Sequence, residues 1–229
     1  LTSSAAMAKN RTVTIGSRAS PLSIVQTEEI LLQLRKHFPD TDFVVVPVTT
    51  SGVRYKESSL LSLGEGIFVK EIELALLNEE IDLAVHSAKD LTTTLPHGLM
   101  LAAIGRRSDP RDVQINRWGL SLMNLPTEAR IGTSSPRRTA QIKELRPDLT
   151  VLPIRGNVDT RLDKARGDNY DGVIVAAAGL IRLGRQSEIT EYLSVKTFTP
   201  QVGQGALAVE VRSDDTETIE MLAEINDDQ

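Results

Sequence analysis

Residues 130–138 read RIGTSSPRR. An apolar stretch closes at Ile131, and Gly132, three hydroxyls (Thr133, Ser134, Ser135), Pro136 and two arginines follow. Serine before proline is a helix-start signal, because serine caps the first turn and proline fits the first helical position. Arg137 and Arg138 then fall in that turn, at the positive end of the helix dipole, where cations are disfavoured. Two positive charges there call for a strongly anionic occupant.

Comparable sets follow other apolar runs. Arg18 and Ser20 follow TVTIGS, and Lys89 and Asp90 follow DLAVHSA. Arg155 and Asn157 follow VLPI, with Arg161 one helical turn further, and Gly179 and Arg182 follow VIVAAA. In open α/β sheets ligands bind beyond the carboxyl ends of strands, often at helix N-termini. Arginine's planar fork matches the two oxygens of a carboxylate. Six arginines and one lysine at such positions therefore point to a polycarboxylate ligand. Asp90 is the one carboxylate among them. It either pairs with Lys89 or caps the next turn, or else it stabilises a cation formed in a reaction or handles a proton. His86, at the tail of an apolar run, reads as a buried structural residue.

The elements carrying these residues alternate apolar runs with amphipathic stretches. TVTIGS (12–17) reads as a strand, and Ser20-Pro21 opens a helix with Ile24, Leu31, Leu34 and Phe38 on one face. DFVVVPV (42–48) reads as a buried strand. Phe68, Ile72, Ala75 and Leu76 have helical spacing within 67–77, and 81–87 and 99–105 are strand-like. The second half continues with strand 129–131, a helix from Pro136, strand 149–154, helix 158–166 and strand 171–178. Such alternation predicts parallel sheets flanked by helices, an α/β protein. TIGSRASPLSIVQ (14–26) and RIGTSSPRRTAQI (130–142) repeat one strand–turn–helix device. Two similar domains facing a cleft are expected, with GRRSDPRD (105–112) as the first crossing and TFTPQVGQGALAVEV (197–211) as the return.

Composition narrows the function classes. The chain has 229 residues, 40% hydrophobic and 25% charged, which suits one large or two ordinary soluble domains. No run of about 18 apolar residues is present to span a membrane. There is no cysteine, which excludes disulfides, thiolate metal sites and a cysteine nucleophile in this chain. His37, His86 and His97 lack zinc-ligand spacing. A net charge of −5 with 3% aromatics weighs against a nucleic-acid partner. Residues 1–11 lack a secretory pattern and read as a leader or an expression scar.

HSAKD (86–90), GTSSPRR (132–138), IRGNVDTRL (154–162), AAAGLIRLG (176–184) and PQVGQGALAVE (200–210) together closely resemble the porphobilinogen deaminase family, also called hydroxymethylbilane synthases. GSRASPLSIVQ (16–26) and GIFVKEIELALL (66–77) extend the likeness, which runs in family order from residue 12 to about 226. The resemblance implies two domains of the type II periplasmic-binding-protein kind around a cleft, plus a smaller third α+β domain. It implies a cytoplasmic transferase (plastid in a photosynthetic eukaryote), monomeric, with no nucleic-acid or membrane partner. The reaction joins four porphobilinogen units head to tail, with loss of ammonia from each. A dipyrromethane primer, tethered through a thioether to a cysteine of the third domain, starts the chain. By resemblance, Arg137, Arg138, Thr133, Ser134 and Ser135 hold primer carboxylates, with Lys89, Asn157 and Arg161 also on the primer. Arg18, Ser20, Gln26, Ser87, Arg155, Arg182 and Gln204 fall on the substrate side, Arg18, Arg155, Arg161 and Arg182 being matched to substrate and primer acids together. Asp90 is implied as the catalytic carboxylate that stabilises the methylenepyrrolenine cation.

Several positions depart from the family pattern. Glu65 in LGEGIF stands where a lysine is usual, Val53 where an acid is common, and the stretch 49–60 reads about one residue short. KDLTT replaces a common Lys-Asp-Val-Pro. The expected domains are 12–105 with 198–229, and 106–197, with the cysteine-bearing third domain expected to be absent and the chain to be a truncated, inactive form. A non-catalytic binding module for small polycarboxylates and a degenerate paralogue are the alternative readings.

Overall fold

A computed structural model describes residues 11–48 and 69–228. Phe68, Glu65, Val53 and the shortened stretch 49–60 lie outside the described residues, as do 1–10. The chain divides into two compact units, Leu1–Arg107 with Ala206–Gln229, and Ser108–Gly205. The return crossing thus falls after Gly205, later than the expected 197/198. Phe198 is the reason: it is buried in the core of the second unit with Leu122, Leu149 and Leu193.

The first unit builds a sheet in the order β2-β1-β3-β10-β4. Its strands are β1 (Thr12–Arg18), β2 (Asp42–Val48), β3 (Leu83–Ser87), β4 (Leu99–Ile104) and β10 (Leu207–Arg212). Helices α1 (Pro21–His37), α2 (Lys70–Leu77) and α6 (Thr216–Ala223) belong to this unit. Val13, Ile15, Ile30, Leu31, Leu34, Leu83 and Val209 form its main core. β1 runs parallel to β2 and β3, whereas β10 is antiparallel to both β3 and β4. The sheet is therefore mixed rather than wholly parallel. β2 is an edge strand, with Phe43 its one buried residue, so the expectation of a buried strand fails. An edge also explains Pro47, which cannot donate to a neighbour.

The second unit repeats the plan in the order β7-β6-β8-β5-β9. Its strands are β5 (Asp112–Asn116), β6 (Arg130–Gly132), β7 (Thr150–Leu152), β8 (Gly172–Ala176) and β9 (Glu191–Tyr192). Helices α3 (Pro136–Leu145), α4 (Val158–Ala165) and α5 (Ala177–Arg182) follow the parallel strands β6, β7 and β8. β5 is antiparallel to β8, and its first residue, Asp112, faces Ala176, the last of β8. An antiparallel strand thus begins where the parallel ones end, and a carboxylate sits at that edge.

Both Ser-Pro signals form the caps that the sequence predicts. Ser20 Oγ accepts the Ser23 N–H at 3.2 Å and Ser135 Oγ accepts the Arg138 N–H at 3.4 Å, each with proline in the first turn. The buried face of α1 differs from expectation. Ile24 is 48% exposed, while Gln26 and Thr27 are buried. At this end of the helix the inward positions are filled by polar groups bonding to strand ends: Gln26 Nε2 to Ser87 Oγ (2.8 Å) and Thr27 Oγ1 to Ser17 Oγ (2.9 Å).

Candidate active site and anion-binding loops

In the first unit, β1 ends at Arg18 and β3 at Ser87, and a short 3-10 turn, Ala88–Asp90, follows β3 directly. That turn brings Lys89 and Asp90 to the carboxyl edge. Arg18, Ser23, Gln26, Val69, Val85, His86, Ser87 and Asp90 line an open recess of about 280 Å³, solvent at its mouth included. Four sequence candidates therefore meet in one place: Arg18, Gln26, Ser87 and Asp90. Ser20 lies beside them, its hydroxyl 2.8 Å from that of Ser23. Burial pulls the Arg18 guanidinium below the usual arginine range, and the Asp90 carboxylate opposes that shift. Desolvation of a cation is tolerable when an anion is near. Asp90 is exposed, in reach of a ligand.

His86 is buried, as its place on β3 suggests. Its Nε2 lies 3.0 Å from Glu210 Oε2, close enough for attraction but not oriented for a hydrogen bond. Burial, with Glu210 nearby, pushes the Glu73 carboxyl above its ordinary range.

In the second unit the loop after β6 is built from its own hydroxyls. Ser134 Oγ donates to the Ile154 carbonyl (2.8 Å) and accepts its N–H (3.0 Å). Thr133 Oγ1 accepts the Ser135 N–H at 3.2 Å. Ser134 is thus committed to the loop, while Thr133 and Ser135 act in these contacts as acceptors and keep their hydroxyl protons. Asn157 caps α4, accepting the Thr160 N–H at 2.8 Å. Arg161 Nε donates to Gly156 O (2.9 Å), Arg182 Nη2 donates to Gly205 O (3.1 Å), and Arg155 is exposed.

The anion that the two consecutive arginines require is Asp112, which the sequence reading missed. Asp112 is fully buried. Its Oδ1 accepts from Arg138 Nε (3.1 Å), Arg138 Nη2 (2.7 Å) and Gln204 Nε2 (2.9 Å), and its Oδ2 accepts from Arg137 Nη2 (2.8 Å). Burial alone would raise the Asp112 pKa. The charge and hydrogen bonds of Arg138, with those of Gln204 and Arg137, outweigh it and hold the group below the usual carboxylate range. Two of the expected site residues are held from inside the second unit. Arg138 is a buried strut whose Nη1 also donates to Ile174 O (3.2 Å), and Gln204 is fully buried and bonds Asp112 and Pro110 O. A signal was available: Asp112 opens a stretch, DVQIN, with apolar residues in alternation.

The residues fit an acidic ligand here on one observation in particular. Arg137 Nε is buried and has no hydrogen-bond partner, at a helix N-terminus where one carboxylate faces two guanidiniums. Among the described residues, no group of His, Cys, Asp and Glu is arranged to hold a metal, and no helix is long and apolar enough to cross a membrane.

Two mixed-sheet α/β units with loops of this kind at their strand ends have the type II periplasmic-binding-protein-like fold. A putative methionine-binding lipoprotein of Bacillus subtilis is similar in fold, with TM-score 0.54 at 15% identity over 93% of this chain and 89% of that one. So is a probable amino-acid ABC transporter extracellular-binding protein from Bacillus subtilis (TM-score 0.53, 11%, over 95% and 90%). At these identities the likeness concerns fold alone. Sequence goes further. The family description "Porphobilinogen deaminase, dipyromethane cofactor binding domain" matches residues 13–220. A porphobilinogen deaminase of Alkaliphilus metalliredigens is 51% identical over 220 residues, covering 96% of this chain and 70% of that protein. The Bacillus subtilis enzyme is 46% identical over 220 residues, covering 95% and 70%. The chain belongs to the porphobilinogen deaminase family, whose members are transferases of tetrapyrrole biosynthesis.

Proposed function

We propose that the chain binds porphobilinogen, and the pyrrole carboxylates made from it, through Arg18 in the first unit and Arg137 in the second, with Asp90 as the catalytic carboxylate. The observation that carries this reading is the recess lined by Arg18, Gln26, Ser87 and Asp90, where a partly desolvated guanidinium and an exposed carboxylate line one opening. A guanidinium there binds an acetate or propionate oxygen pair. A carboxylate nearby stabilises the cation left when ammonia departs, and does so best where water is scarce. A dipyrromethane cofactor, when bound, supplies the nucleophilic pyrrole to which substrate is added. Arg137, with the hydroxyl protons of Thr133 and Ser135, would hold its carboxylates. Lys89, Arg155, Arg161 and Arg182 supply further positive charge at the strand ends.

Net charge −5 and few aromatics support a small-molecule substrate over nucleic acid. We read the protein as a cytoplasmic monomer. A non-catalytic polycarboxylate-binding module would share the fold, but the family points to the enzyme. Calorimetric titration with porphobilinogen tests the reading. Saturable binding that Arg18→Leu weakens at least about tenfold supports it, since a charge-assisted contact contributes about 1.5–3 kcal/mol. Equal binding by that variant counts against it.

A further inference from the structure

We propose that Asp112 is a positioning residue for the second unit's carboxylate site. It holds Arg138 as a fixed buried strut and delivers Arg137 as the arginine that a ligand carboxylate engages. The inference rests on the proposed function above and deepens it.

One carboxylate faces two guanidiniums at the N-terminus of the ten-residue helix α3, whose dipole adds further positive potential. The cluster therefore carries one positive charge in excess. A single ligand carboxylate restores balance.

The excess is not shared evenly. The Arg138 side chain is 8% exposed and that of Arg137 25%. Arg138 gives two N–H groups to Asp112 Oδ1 and a third to the Ile174 carbonyl. Arg137 gives Nη1 to the Thr199 carbonyl and Nη2 to Asp112 Oδ2, while its Nε has no partner. The less buried arginine is thus the one with a donor to spare, its buried Nε. Gln204 completes the hold on Asp112 through Oδ1, leaving Oδ2 to Arg137.

Topology makes this possible. Because β5 is antiparallel to β8, its first residue lies at the edge where β6 and β8 end, beside the start of α3. Removing the Asp112 charge leaves two adjacent like charges with no counter-ion among the described residues, and neither guanidinium has reason to keep its place.

The test is a double-mutant cycle on the intact chain, with porphobilinogen as probe in calorimetry and with folding checked by thermal melting. D112N should weaken binding at least tenfold. In an R137L background D112N should have no further effect on binding, because Asp112 acts through Arg137. Should D112N fail to fold, Gln204→Met keeps all three charges and removes one hydrogen bond to Asp112. A two- to fivefold loss, again absent in R137L, is expected. Additive losses overturn the proposal, as does binding unchanged by D112N or Q204M. Tighter binding by D112N also overturns it, since Asp112 would then compete with the ligand. Failure of the unsubstituted chain to bind defeats the functional reading itself, and the proposal with it.

Discussion

Arg138 and Asp112 meet through two N–H donors on one carboxylate oxygen, at 2.7 and 3.1 Å, with both side chains out of solvent. The helix start that places two cations at a positive dipole end is thereby half balanced from inside the protein.

Loss of Arg138 should therefore destabilise the fold more than loss of Arg137. Arg138→Leu leaves Asp112 short of its closest counter-charge, a change that costs about 3–5 kcal/mol in buried pairs. Arg137→Leu removes a less buried partner and should cost about 1–3 kcal/mol. Urea unfolding of both variants gives the ordering, and equal losses would show that Asp112 does not depend on Arg138.

Acid should weaken the protein through depressed carboxylates. Asp112 is held low against the effect of its burial, and Asp171 is held low by its hydrogen bonds with Arg130. Groups whose folded pKa lies below the unfolded value, about 3.9, contribute stability that is complete above that value. That stability is lost as pH falls through the folded pKa. Glu73 has the opposite sign, since burial and Glu210 raise it. Its contribution is complete below the unfolded value, about 4.3, and is lost as pH rises through the folded pKa. Glu73→Gln should hence stabilise the chain at pH 7, with the gain shrinking toward pH 4. Melting across that range checks the sign, and a gain that grows toward acid would contradict it.

Much of this was legible in the sequence, and the limits have physical causes. Ser20 and Ser135 announce their helices because capping and proline geometry are local. Asp112 does not announce its role, because its partners Arg138 and Gln204 lie 26 and 92 residues away. Its strand does show apolar alternation, but which polar residues face inward is again set at a distance: Gln114 too is polar yet buried, satisfied by Glu191 and the Leu120 carbonyl. Composition made β2 look buried, because three valines in a row do not reveal whether a strand has neighbours on both sides. Ile24 shows the converse, an apolar residue at helical spacing on a turn whose inward places belong to Gln26 and Thr27.

Asp90 should matter to chemistry and not to folding, since it is exposed on a short turn. With a dipyrromethane acceptor supplied in solution, Asp90→Asn should slow ammonia release from porphobilinogen at least about 100-fold, the usual scale for one preorganised electrostatic group. Its melting temperature should stay within about 4 °C of the unsubstituted chain, since only the exposed carboxylate's support of Arg18 is lost. An unchanged rate would remove Asp90 from the mechanism.

The chain contains no cysteine, so it has no thiol on which a pyrrole can be held as a thioether. After incubation with porphobilinogen and desalting, intact-mass measurement should return the mass of the unmodified polypeptide. A stable increment would locate an attachment chemistry other than a thioether.

In the proposed binding mode arginines at strand ends receive pyrrole carboxylates, Arg18 in one unit and Arg137 in the other. The decisive measurement is calorimetric titration of porphobilinogen into the chain at two salt concentrations, repeated with Arg18→Leu and Arg137→Leu. Saturable binding that weakens with salt and falls in each variant is expected, because the contacts are charge-assisted. Binding that is indifferent to salt and to both substitutions would contradict it.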